Sequence, residues 1–166
     1  MNIVLVAAVT ADGFIARNAG HAADWTSKDD KRHFVEVTKR LGTMVMGSTT
    51  FETIGRALPG RRMIVLTNRP DDFRIEGVET FSGPVESLVA ALEKEGVAGL
   101  AVVGGAHVYG QFLEAGLVDR LELTVEPHLF GKGITVAGTE LDLKLRLLGL
   151  ERLGEQAVLI TYEVER

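Results

Sequence analysis

The sequence contains no cysteine, and only four prolines and one tryptophan among its 166 residues. Without thiols there is no disulfide framework, no thiolate zinc site, no cysteine nucleophile and no thiol redox switch. No apolar run approaches the ~20 residues that a membrane-spanning helix needs. Positive charge is also the smaller share: 18 Lys and Arg stand against 23 Asp and Glu, a formal net charge of −5. A nucleic-acid binder would carry a basic face instead. The content, 46% hydrophobic and 25% charged with 19 Gly, is that of a globular chain long enough to bury one core. The run Ile3 to Val9 lacks a basic leader and ends at Thr10-Ala11-Asp12, so it reads as a buried first strand rather than a secretion signal. No linker, repeat or low-complexity tract interrupts the chain. A cytoplasmic protein with one domain over residues 1–166 is expected.

Two periodicities alternate. Ile3 to Val9, Thr43 to Met46, Met63 to Leu66 and Leu100 to Val103 are short apolar runs without polar alternation, the pattern of strands covered on both faces. Between them, Lys28 to Leu41, a short stretch after Gly47, Pro84 to Glu95 and Ala106 to Ala115 have helical spacing. The last third alternates at Leu121 to Val125, Leu141 to Leu147 and Val158 to Val164, with a turn at Gly154. The expected fold is α/β: a mostly parallel central sheet, helices on both faces and an antiparallel C-terminal hairpin.

The segment from Asp24 to Phe34 is chemically the most informative. Ser27 followed by Asp30 marks a helix start. At ~100° per residue, Asp30, Phe34, Val37 and Leu41 then share one stripe. One carboxylate thereby faces the core on an otherwise charged helix, where it must be paired, protonated or matched to a ligand. Trp25 stands just upstream. Two glycine turns, Gly47-Ser48-Thr49-Thr50 and Gly104-Gly105-Ala106-His107, each deliver a strand to a helix N-terminus. Such turns offer free N–H groups and the positive dipole end to a phosphate. Leu66-Thr67-Asn68-Arg69 ends a third strand at the same sheet edge, where ligands of open α/β sheets gather. Neither a dinucleotide fingerprint nor a P-loop is present. His21, His33, His107 and His128 form no metal-binding spacing, and no nucleophile elbow occurs.

These residues resemble one family. Val6-Ala7-Ala8, Asp12-Gly13-Phe14-Ile15-Ala16, the Trp25/Asp30/Phe34 spacing, Val45-Met46-Gly47 with Thr50, Ile54 to Arg61 through Leu58-Pro59-Gly60, Ile64 to Thr67, Val103-Gly104-Gly105 with Val108-Tyr109, and Thr124 are similar in order and spacing to dihydrofolate reductases. The C-terminal half also resembles riboflavin-pathway pyrimidine reductases, through Gly116 to Arg120 and Pro127 to Gly133.

The resemblance implies reduction of 7,8-dihydrofolate by NADPH, with hydride reaching C6 and a proton reaching N5. Asp30 and Trp25 are the implied catalytic pair: Asp30 holds the amino and N3 side of the ring, backed by Thr124, and Trp25 covers it through a water. Val6, Ala7, Phe34, Ile54, Leu58, Arg61, Val103 and Tyr109 complete the implied substrate site, with Arg61 taking the glutamate carboxylate. The implied cofactor track runs over Ala8, Ile15, Gly47, Ser48, Thr49, Thr50, Leu66, Thr67, Asn68, Arg69, Val103, Gly105, Ala106, His107, Val108, Tyr109 and Gln111. The Gly104–Gly105 peptide is implied to be cis, and Asp12 to Asp24 to form a lid. No metal is implied, no nucleic acid and no membrane, and the chain is expected as a monomer or homodimer.

Three departures matter. Ser48 replaces a common arginine for the cofactor's 2′-phosphate, with Arg69 and His107 as substitutes. Lys31 stands where an apolar residue is usual. The lid is longer, rich in Gly and Ala, and lacks a proline before Trp25. Two other functions are therefore kept: reduction of a ribosylamino-pyrimidine phosphate, and a nucleotide-binding module without turnover.

Overall fold

The apolar runs become strands because both of their faces find cover. The computed structural model describes all residues, Met1–Arg166. In chain order its elements are β1 (Asn2–Thr10), β2 (Phe14–Ala16), a 3-10 turn (Ala23–Trp25), α1 (Lys28–Leu41), β3 (Thr43–Gly47), α2 (Ser48–Ile54) and β4 (Arg62–Leu66). A second 3-10 turn (Pro70–Phe73) precedes β5 (Val78–Phe81), α3 (Val85–Lys94), β6 (Gly99–Val102), α4 (Ala106–Glu114), β7 (Arg120–Glu126), β8 (Ile134–Thr135), β9 (Leu145–Leu153) and β10 (Ala157–Val164).

Eight strands form one sheet in the order β5-β4-β3-β6-β1-β7-β10-β9, while β2 and β8 pair separately. From β5 to β7 every pairing is parallel. Only β10 against β7, and β9 against β10, run antiparallel. This is the expected fold class, and its crossover helices fill both faces. Along β1 the side chains of Ile3, Leu5 and Ala7 join Leu92 and Phe112 on the α3/α4 face. Val4 and Val6 join Val37, Met44, Met46 and Phe51 on the α1/α2 face. A strand buried on both sides has no polar position left, which is why β1 reads as a continuous apolar run. No helix is long and apolar enough to cross a membrane.

The expected strand from Leu141 to Leu147 is shifted in the structure to Leu145–Leu153. The register explains it: Leu145 pairs with Val164, the last residue of β10, so residues before 145 have no strand to bond to. β9 is also the outer edge, and it leaves Leu145, Leu147, Leu148 and Leu150 exposed.

Candidate active site

The carboxyl ends of β1, β3, β4 and β6 open into one cleft of about 1040 Å³, the position at which parallel α/β sheets hold ligands. Its two ends are built differently. At one end β3 stops at Gly47, and β6 leads through Val103 into Gly104 and Gly105. The Gly47 amide donates to the Gly104 carbonyl at 2.8 Å, which locks the two turns side by side. A Cβ on Gly47 would stand 3.2 Å from Val108 Cγ2, and one on Gly105 would stand 3.3 Å from Thr50 Oγ1. Gly104 has φ of +120°, a conformation that side chains disfavour, and the Gly104–Gly105 peptide is cis. The helices beginning at these turns, α2 and α4, have no side-chain cap, so their first N–H groups face the cleft uncompensated.

The other end is made by α1. Ser27 caps it, its Oγ accepting from the Asp30 amide at 3.1 Å, and Gly42 closes it in the left-handed region with an N–H to the Thr38 carbonyl. The helical stripe is as expected: Val37 and Thr38 are buried, and Asp30 and Phe34 half-buried beside the cleft. Burial pushes the Asp30 carboxyl above its usual range. The Thr124 and Thr26 hydroxyls and His33 draw it down, while the charge of Glu126 pushes it up. Arg61 reaches Thr38 Oγ1 through Nη1 at 3.0 Å and the Pro59 carbonyl through Nε at 3.1 Å, and partial burial lowers its pKa. Lys31 Nζ lies 2.8 Å from the Thr26 carbonyl and 2.9 Å from its hydroxyl.

Trp25 closes this end. Its indole packs edge-on to Phe130, centroids 5.1 Å apart, and to His128 at 5.7 Å. The indole N–H is buried with no protein acceptor, which leaves it for a water or a ligand oxygen. The segment after β1 is tied down by Asp12, whose Oδ1 accepts from Thr10 Oγ1 at 2.6 Å and whose Oδ2 accepts from the Gly131 amide at 2.7 Å. The Thr10 hydroxyl above all, and then the amides of Gly131 and Phe130, hold the Asp12 carboxyl below its ordinary value against some desolvation. The Arg17 guanidinium carbon stands 4.1 Å over the Phe130 ring.

All but one of the expected site residues meet in this cleft. Val6, Ala7, Ala8, Ile15, Trp25, Asp30, Phe34, Ile54, Leu58, Arg61 and Val103 line it. So do Gly47 to Thr50, Leu66 to Arg69, Gly105 to Tyr109, and Gln111. Thr124 does not line it; it is 1% exposed and stands behind Asp30. Tyr109 is largely beneath the floor, its hydroxyl donating to the Val6 carbonyl at 2.6 Å; burial and the charge of Asp30 keep that hydroxyl protonated. Lys31, Thr26, Ser82 and Ile134 also line the cleft. Glu126 and Phe130, which the expected set lacks, support it from behind. Alternation along β7 puts Glu122, Thr124 and Glu126 on one face, but does not say that this face is covered at Glu126.

Among known proteins, the chain is similar to the dihydrofolate reductase type 3 of Salmonella typhimurium, 37% identical over 125 residues, spanning 75% of this chain and 71% of that protein. The dihydrofolate reductase of Enterococcus faecalis, solved as a complex with NADP(H) and RAB-propyl, superposes with a TM-score of 0.76 at 29% identity, covering 99% and 97% of the two chains. A putative riboflavin biosynthesis protein from Shewanella sp. PV-4 superposes with a TM-score of 0.84 over 100% of both chains at 23% identity, a shared fold. Residues 2–135 match the dihydrofolate reductase family, and to that family the chain belongs.

Proposed function

We propose that the chain is an NADPH-dependent reductase that converts 7,8-dihydrofolate to tetrahydrofolate. Asp30 carries this reading. A half-buried carboxylate with raised proton affinity, set among Val6, Phe34 and Ile54, prefers the N–H donors of a flat amidine-like ring to water. The Salmonella relative's activity and the cofactor bound to the Enterococcus enzyme support the same assignment.

The residues fit the cofactor. The glycine turns leave room that any Cβ would fill, and Ser48, Thr49, Thr67, Asn68 and Arg69 line the far end with hydroxyl, amide and guanidinium groups. Bound NADPH supplies a hydride to C6 of the ring. Asp30 orients that ring by pairing with its amino and N3 side, and Phe34, Ile54 and Leu58 hold it flat against the track. The pair formed by Asp30 and the ring shares one proton, which makes C6 the better hydride acceptor. Trp25 covers the ring and holds a water at its indole N–H, and N5 takes its proton from solvent. Arg61 offers a planar fork to the carboxylate of the glutamate tail.

A second substrate is favoured by one observation. Lys31, fixed by Thr26, places a second cation with Arg61 at the same end, as the phosphate of a ribosylamino-pyrimidine needs. The deciding assay follows NADPH oxidation by absorbance at about 340 nm with each substrate in turn. Turnover with dihydrofolate that collapses in Asp30→Asn is the expected result. Turnover with the pyrimidine phosphate alone assigns the second substrate, and tight NADPH binding without oxidation overturns both.

A further inference from the structure

Behind Asp30 lies a second carboxylate that the proposed reaction leaves without a role. Glu126, at the end of β7, is 2% exposed. Burying a carboxylate is costly unless it is paired or hydrogen-bonded, and no lysine or arginine reaches Glu126. Its partner is the start of α1. Glu126 Oε1 accepts from the Ser27 amide at 2.9 Å and from Ser27 Oγ at 2.6 Å. The same Ser27 oxygen accepts from the Asp30 amide at 3.1 Å. One hydroxyl thus links the two carboxylate-bearing residues, 96 positions apart in sequence, across the first turn of a 14-residue helix.

We propose that Glu126 is a positioning residue that fixes the first turn of α1 through Ser27 and, by its negative charge, favours the proton shared between Asp30 and the bound ring. The inference rests on the reading of Asp30 as the ring-binding group. Two carboxylates compete for the positive end of one helix dipole, and Glu126 takes the Ser27 donors. Thr124, Thr26 and His33 draw the Asp30 carboxyl the other way, and Glu126 acts against them. Tyr109 of α4 spends its hydroxyl proton on the Val6 carbonyl. Lys31 of α1 is turned to Thr26. His33 of α1 stands 2.9 Å from Glu122 of β7, which Arg40 also holds at 2.8 Å. From β1 only the uncharged Thr10 stands opposite Glu126. The charge of Glu126 acts on Asp30 in the direction of holding its proton.

The test is the titration of Asp30 itself, read by NMR from ¹³C-carboxyl-labelled aspartate in the substrate-free enzyme, with Asp30→Asn to assign the signal. Glu126→Gln keeps an acceptor for Ser27 and removes the charge. Its expected effect is an Asp30 midpoint moved to lower pH, and hydride transfer about threefold or more slower at neutral pH. Glu126→Asp keeps the charge and retracts it by one methylene, so the midpoint stays nearer the wild-type value. An unmoved midpoint in Glu126→Gln overturns the proposal, as does an equal displacement in both variants. Should Glu126→Gln not fold, a Glu126→Asp midpoint displaced far from wild type overturns it equally. The NMR readout needs no substrate. A failure of Asp30 as ring-binding group would show separately, as undiminished turnover in Asp30→Asn.

Discussion

The two ends of the cleft are made of different material. At the glycine end the surface is backbone: a Cβ on Gly47, Gly104 or Gly105 would crowd a neighbour at 3.2 or 3.3 Å, and the N–H groups of uncapped helices face the cleft. At the α1 end the surface is side chain: Asp30, Lys31, Phe34 and Arg61, with Lys31 held by Thr26 and Arg61 by Thr38. A backbone cradle accepts any ligand with the right phosphates, so it identifies a family. A side-chain wall selects by charge and shape, so one substitution there changes the substrate and leaves the fold alone.

The largest test of this contrast is Asp30→Asn. Hydride transfer is expected to fall on the order of 10²-fold or more, while cofactor binding, measured by fluorescence titration, stays near wild type. The same variant should resist urea better at neutral pH. Asp30 has a raised folded-state pKa, so its ionisation costs stability as pH rises above the unfolded carboxylate value, and the advantage of Asn vanishes on acidification below about 3.8. The converse test is Gly104→Ala. A Cβ at φ of +120° would press on the Tyr109 hydroxyl at 3.3 Å, so we expect a loss of about 1–3 kcal/mol in urea unfolding and cofactor affinity reduced tenfold or more.

Smaller effects sharpen the contrast. Arg61→Ala should raise KM for a substrate with an anionic tail about tenfold with little change in kcat, because it removes uniform binding. If KM for dihydrofolate stays put while KM for the pyrimidine phosphate rises, Arg61 serves the second substrate. Arg69→Ala should raise KM for NADPH about tenfold and leave that for NADH unchanged, as measured in parallel steady-state assays; equal losses with both would remove Arg69 from the 2′-phosphate. The smallest concerns pH alone. Glu122 is partly desolvated, yet His33 and Arg40 hold its carboxyl below the usual range. Its contribution to stability is therefore present above the ordinary glutamate value and lost as pH falls through the lowered one. Glu122→Gln should flatten that acid limb in denaturation curves.

How much of this was legible follows the same division. The apolar run of β1 and the glycine pairs announced buried strands and a backbone cradle, because local sequence dictates both. Asp30 was legible through helical spacing, which placed it on the stripe with Phe34 and Val37. Glu126 was not, since a glutamate in an alternating strand reads as a solvated position; its burial depends on the docking of a helix start 99 residues away. Phe130 escaped for a similar reason. Its neighbours Trp25, His21 and Arg17 meet it only once residues 17–25 pack on the loop after β7. The leucines of β9 lie exposed on the sheet edge, because alternation gives a face but not what covers it.

The aromatic seat of Trp25 has a practical consequence. Trp25 is the only tryptophan in the chain, and it lines the cleft with its ring packed against Phe130. All indole emission therefore comes from the wall of the cleft. Stopped-flow fluorescence of the unmodified protein, excited at the indole band, will report ligand entry there, with no second indole to subtract and no dye to attach.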